Sequence, residues 1–117
     1  MSKPVGPYTP IVEAGPWLVC SGQVGVADGA LVEGGLEPQL RQAMANLKGL
    51  LESKGATMAD VVKTTVFLTD MDHYADMNRI YTELFGDHRP ARSAVAVAAL
   101  PLGAVIEIEA WAQGGSA

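Results

Sequence analysis

The stretch from Gln39 to Asn78, QLRQAMANLKGLLESKGATMADVVKTTVFLTDMDHYADMN, decides how this chain folds. Starting just upstream, Leu36, Leu40, Met44, Leu47 and Leu51 recur at three- and four-residue steps, one apolar stripe on a helix. Glu37 and Pro38 suit its first turn. Lys54 and Gly55 suit its end, a cation against the dipole and a glycine at the cap. VVKTTVFLT, Val61 to Thr69, is rich in β-branched residues and reads as a strand. Asp70 or Asp72 can cap a second helix, whose Tyr74, Met77, Tyr81 and Leu84 form another stripe before Gly86 ends it.

Strands lie on either side of this block. Ile11 to Ala14 and Trp17 to Ser21 are apolar runs separated by Gly15-Pro16, a turn dipeptide. Val24 to Val26 and Ala30 to Val32 flank Asp28-Gly29, a hairpin turn pair. Two more strands close the chain, Ser93 to Ala99 and Ala104 to Ala112. In the last, Ile106, Ile108 and Ala110 point one way while Glu107, Glu109 and Trp111 point the other. The order predicts a single α+β domain over residues 1–117, a mixed sheet with two helices packed on one face. Two helices cover one face only. After Arg92, alanines 94, 96 and 98 alternate with valines 95 and 97, so whichever set faces the helices, the other is apolar and uncovered. Such a face is an association surface, and a closed homo-oligomer is expected.

Composition narrows the class. Of 117 residues, 49% are hydrophobic, enough for a core and against disorder. The net charge of −5 repels a phosphate backbone and disfavours nucleic acid. One cysteine, Cys20, rules out an internal disulfide and suits a reducing compartment. With His73 and His88 the only histidines, a zinc site lacks ligands. No long apolar run reads as a signal peptide or membrane span, so a soluble cytoplasmic protein is expected.

Chemistry-bearing candidates are few. Arg92 opens HRPARSAVAVAALP, and the next ionisable side chain is Glu107. A guanidinium cannot shed its proton, and its fork of donors matches a carboxylate in two parallel hydrogen bonds. Arg92 can therefore hold a ligand acid group, or it can pair with Glu107 or Glu109. Glu107 interrupts an apolar strand; it can orient or deprotonate a water, or it can be a glutamate on a solvent face. Glu109 reads as solvated. Tyr8 can offer a hydroxyl to a cleft or anchor an N-terminal arm. Ser21-Gly22-Gln23 can supply a hydroxyl and a closely approached backbone, or make a plain turn. Asn78 can reach the sheet edge or sit in solvent. Cys20 reads as core, and the glycines form no phosphate loop.

Taken together and in order, GPYTP, LVCSGQVG, the Gln39–Asn78 block, IYTELFG and PARSAVAVAALPLGAVIEIEAWA resemble the Rid family of reactive intermediate imine deaminases, also labelled L-PSP endoribonucleases. The resemblance runs from Gly6 to Ala112. It implies a chorismate-mutase-like domain assembled as a homotrimer, with three clefts between neighbouring subunits. It also implies hydrolysis of 2-imino or 2-enamino acids to 2-keto acids and ammonia, without metal or cofactor. By similarity, Arg92 of PARS grips the substrate carboxylate and Glu107 of VIEIEA orients the attacking water. Tyr8, Ser21 and Asn78 match positions lining the family's cleft. The chain departs from the family in carrying Ala94 where many members have cysteine, and in a loop before Arg92 that looks short.

Two rival functions stay open. One is a non-catalytic trimer that binds small carboxylates, or a partner enzyme, through the same clefts. The other is RNA cleavage, against which the acidic balance and the lack of a basic stripe both argue.

Overall fold

The computed structural model describes Pro4 and residues 6–114. Its strands are β1 (Ile11–Ala14), β2 (Trp17–Gln23), β3 (Val26–Ala27), β4 (Ala30–Leu31), β5 (Val61–Leu68), β6 (Ala91–Ala96) and β7 (Ile106–Gln113). The helices are α1 (Leu36–Glu52) and α2 (Tyr74–Phe85). Five strands form one sheet in the order β1-β2-β7-β5-β6, antiparallel throughout except for the parallel β5–β6 pair; β3 and β4 make a separate hairpin. The mixed sheet with two helices follows the α+β layout expected from the sequence.

Local chemistry accounts for the joints. Gly15, at φ 59, lets β1 turn straight into β2, so that Ala14 pairs with Trp17. Asp28 and Gly29 both lie at positive φ, as the β3–β4 hairpin needs. Gly55, at φ 77, lets the Ala56 N–H reach back to the Leu51 carbonyl at 2.9 Å and closes α1. Lys54 lies past the last helical turn and pairs with Glu13 of β1 at 3.2 Å, so it does not serve the helix dipole as expected. Asp70 is the acidic cap. It accepts from the Asp72 N–H at 2.8 Å and starts a single 3-10 turn that leads into α2.

Both helices lie on the same side of the sheet. Leu40, Leu47 and Leu51 of α1 and Met77 and Ile80 of α2 pack against Leu18, Val61, Val66, Leu68, Ile106 and Ile108. Their burial is the main stabilising term, at about 25 cal/mol per Å² of apolar surface. An ion-pair relay ties the two helices outside the core: Glu37 accepts from Arg41 and Arg79, and Arg41 also reaches Glu83. The buried stripe of α2 is Met77, Ile80, Tyr81 and Phe85. Tyr74 was expected in it but is 38% exposed; it turns toward β6 instead.

Two strand boundaries differ from expectation. β6 begins at Ala91 and stops at Ala96, because its ladder partner β5 ends at Leu68; the last bond is Val97 N–H to the Leu68 carbonyl at 2.8 Å. Arg92 is therefore inside an edge strand, not ahead of one. β7 starts only at Ile106, since the Val105 N–H is taken by the side chain of buried Gln39, at 2.9 Å from Oε1. The face away from the helices carries Val12, Trp17, Val19, Phe67, Val95 and Trp111, and Val12, Trp17, Val95 and Trp111 are exposed. Among the described residues no helix is long and apolar enough to cross a membrane.

Candidate functional site

The sheet register separates the two principal candidates. Arg92 pairs with Thr64, which also pairs with Ala110, and all three face the helices. Glu107 pairs with Phe67, which also pairs with Val95, on the opposite, open face. Within the chain the guanidinium and the carboxylate therefore look away from each other.

Glu107 lies in a pocket of about 250 Å³ lined by Tyr8, Ser21, Gly22, Val24, Pro101 and Glu107 itself. A β-bulge shapes it. Between Cys20 and Gln23 strand β2 has one residue more than β7 has between Ala110 and Ile108, which bends the chain and swings Ser21 and Gly22 toward Glu107. Gly22 leaves room for the carboxyl as it stands: a Cβ on it would lie 1.9 Å from Oε2 of Glu107. The Ser21 hydroxyl donates to the Thr9 carbonyl at 2.7 Å, and its N–H to the Pro10 carbonyl at 2.8 Å. Ser21 thus pins the segment that carries Tyr8 over the pocket. Burial raises the Glu107 carboxyl above the ordinary glutamate range, and the charge of Glu109 on the same face adds to it. A carboxyl so placed takes up a proton more readily than one in water.

Arg92 occupies a different setting, between β6 and α2. Its guanidinium carbon lies 5.0 Å from the Tyr81 ring centroid and 5.5 Å from that of Tyr74. Nη2 donates to the Tyr74 hydroxyl at 3.0 Å, and Nη1 approaches the Met77 sulfur at 3.7 Å. Tyr81 is fixed in turn: it is buried, and its hydroxyl bonds Thr64 at 2.8 Å. The pairing with Glu107 or Glu109 that the sequence left open is not made: none of the ion pairs among the described residues includes Arg92. A guanidinium half-sheltered by aromatic faces has the fork of donors to meet a carboxylate in two parallel hydrogen bonds.

Asn78 is on α2, one residue past Met77. Its Oδ1 is buried with no hydrogen-bond partner among the described residues, a position that needs an acceptor's complement from elsewhere. The five residues singled out in the sequence thus fall into two groups: Tyr8, Ser21 and Glu107 on one side of the sheet, Arg92 and Asn78 on the other. Cys20 is core, with its thiol pushed up to about 11 by burial, and is unreactive. Among the described residues no group of three or more histidines, cysteines or acids could hold a metal ion.

Sequence reasoning missed Pro101 and Val24 in the pocket wall, and Tyr74 and Met77 as partners of Arg92. The pocket residues carried no signal, because a loop and a bulge bring them in. Tyr74, Met77 and Tyr81 did carry one, a helical stripe with two phenols, but it read as core.

The endoribonuclease L-PSP family model matches residues 1–113. A RutC family protein of Pyrococcus horikoshii is 45% identical over 112 residues, covering 94% of this chain and 89% of that protein. Human 2-iminobutanoate/2-iminopropanoate deaminase is 42% identical over 110 residues, covering 92% and 80%. The crystal structure of E. coli TdcF with bound serine superposes with a TM-score of 0.88 at 35% identity, covering 94% and 90%.

Proposed function

The chain belongs to the Rid, or endoribonuclease L-PSP, family, and from that premise we propose that it hydrolyses 2-imino and 2-enamino acids to 2-keto acids and ammonia. The site is a cleft between two protomers of a closed homotrimer, with Arg92 from one and Glu107 from its neighbour. One observation carries this reading: the clamp and the carboxyl lie on opposite faces of the same sheet, each without an ionic partner among the described residues. A substrate can meet both only where one copy's β6 edge approaches the open face of another. The apolar open face, with Trp17, Trp111 and Val95 exposed, favours such an approach.

The chemistry needs little else. The imine carbon is electrophilic, more so when its nitrogen is protonated. Arg92 holds the substrate carboxylate with two parallel hydrogen bonds and so fixes the plane of the C=N bond. Glu107 accepts a proton from a water as the water oxygen bonds to that carbon. The raised affinity of this carboxyl for protons makes it a stronger base than an ordinary glutamate. The nitrogen of the tetrahedral adduct takes up protons, the C–N bond breaks, and ammonia leaves as the C=O forms. Tyr8 closes the pocket and Ser21 holds it in place; Asn78, with its unmatched Oδ1, accepts a donor from substrate or neighbour. The route uses no cofactor and no metal. The name of the human relative, an imino-acid deaminase, favours this reading over RNA cleavage, as does the net charge of −5.

The test couples a threonine dehydratase or an L-amino acid oxidase to this protein and follows imine loss. Wild type accelerates the loss, while Arg92→Ala performs as buffer does. Equal behaviour of wild type, Arg92→Ala and buffer defeats the reading.

A further inference from the structure

We propose that Tyr74 is a positioning residue for Arg92: its hydroxyl fixes the direction in which the guanidinium offers its fork to an incoming carboxylate. The inference rests on the substrate clamp assigned to Arg92 above and adds what sets that clamp. Arg92 springs from an edge strand, and a long side chain there has many rotamers to choose from. Two aromatic rings flank its guanidinium, at 5.0 and 5.5 Å from the guanidinium carbon. Attraction of a cation to a ring face holds the group near the ring and leaves it free to turn. The hydrogen bond from Nη2 to the Tyr74 hydroxyl at 3.0 Å removes that freedom. Among the described residues, the Tyr74 hydroxyl is the only oxygen that accepts from this guanidinium.

The count of donors supports the same role. A guanidinium has five N–H groups. One on Nη2 goes to Tyr74 and one on Nη1 faces the Met77 sulfur. Each of these nitrogens keeps a second proton, and Nε keeps its own, so a carboxylate can still be met by two parallel bonds. The two aromatic partners are not equivalent. Tyr81 is buried, tied to Thr64 and packed on Phe85 at 4.7 Å between ring centroids, so it belongs to the core as much as to Arg92. Tyr74 sits at the first residue of α2, is 38% exposed, and gives its hydroxyl to Arg92. A phenylalanine at 74 would cover the same surface; the hydroxyl matters for orientation.

The test compares Tyr74→Phe with wild type in two independent readouts. The first is the dissociation constant for 2-ketobutyrate, measured by calorimetry without turnover; the second is KM and kcat in the imine-consumption assay. The expected result is a rise in both constants of roughly three- to tenfold, the net worth of one ordinary hydrogen bond for a pair that water also reaches, with kcat within about twofold and an unchanged melting temperature. In an Arg92→Lys background, Tyr74→Phe has no further effect, since a lysine has no fork to orient. Unchanged constants in Tyr74→Phe overturn the inference, and so does a fall in kcat at constant KM. Wild type that binds 2-ketobutyrate but consumes no imine removes the proposed activity and leaves the dissociation constants to decide the role of Tyr74. Wild type that does neither removes both.

Discussion

Replacing Gly22 by alanine separates the geometry of Glu107 from the stability of the fold. Gly22 lies outside the left-handed backbone region, so alanine imposes no conformational strain there. Its new Cβ would lie 1.9 Å from Glu107 Oε2, 2.7 Å from Cδ and 3.1 Å from Cγ. Ordinary contact begins at 3.4 Å, so the carboxyl must retreat by about 1.5 Å. The atoms that move are the end of a flexible side chain, and the fold loses little, about 1 kcal/mol or less. A catalytic group misplaced by about 1 Å loses on the order of a hundredfold in rate. Gly22→Ala is therefore expected to cut kcat about a hundredfold in the imine-consumption assay while its urea midpoint stays near that of wild type. Combining it with Glu107→Gln should add nothing, because both remove the same placed carboxyl. Full activity in Gly22→Ala, or independent losses in the double variant, would refute the assignment of the base.

Two other perturbations read different parts of the structure. Gln39→Leu leaves the Val105 N–H without its acceptor at the start of β7 and is expected to cost about 1–3 kcal/mol in urea unfolding; a variant as stable as wild type contradicts the anchoring role. The pH profile of kcat/KM is expected to rise through a midpoint above the ordinary glutamate value, since burial and Glu109 both hold the Glu107 proton. Glu109→Gln removes the repelling charge and shifts that midpoint downward; an upward shift, or none, contradicts it. The same proton has a stability consequence. The folded chain binds it more tightly than the unfolded chain, so the associated stability is present below the ordinary glutamate pKa and is lost as pH rises through the raised one. At neutral pH, Glu107→Gln is accordingly expected to melt no lower than wild type.

The helices and central strands were legible because periodicity and β-branching report burial directly. The stripe of Leu40, Met44, Leu47 and Leu51 and the run Val61–Leu68 fold as their patterns say. Boundaries were less legible where a partner sets them. β6 ends where β5 ends, and β7 starts where Gln39 releases the chain, and neither event is written in the local sequence. Arg92 and Glu107 stood out because charge in an apolar run is conspicuous. Their placement on opposite faces follows from counting register through β5, which requires knowing that β6 pairs with it in parallel. Tyr74 misled for a simple reason: a tyrosine at stripe spacing looks like core, and the exposed first turn of α2 only reveals itself once β6 lies beside it.

Mixing two inactive variants is the most direct measurement of whether catalysis needs two copies of this chain. If the proposed ring forms, Arg92→Ala and Glu107→Gln, unfolded together in equal amounts and refolded, give assemblies in which roughly one cleft in four unites an intact arginine with an intact glutamate from its neighbour. The refolded mixture should recover up to about a quarter of wild-type imine hydrolysis. A mixture no more active than its separate components would mean that both groups must come from one chain, and the shared cleft would be wrong.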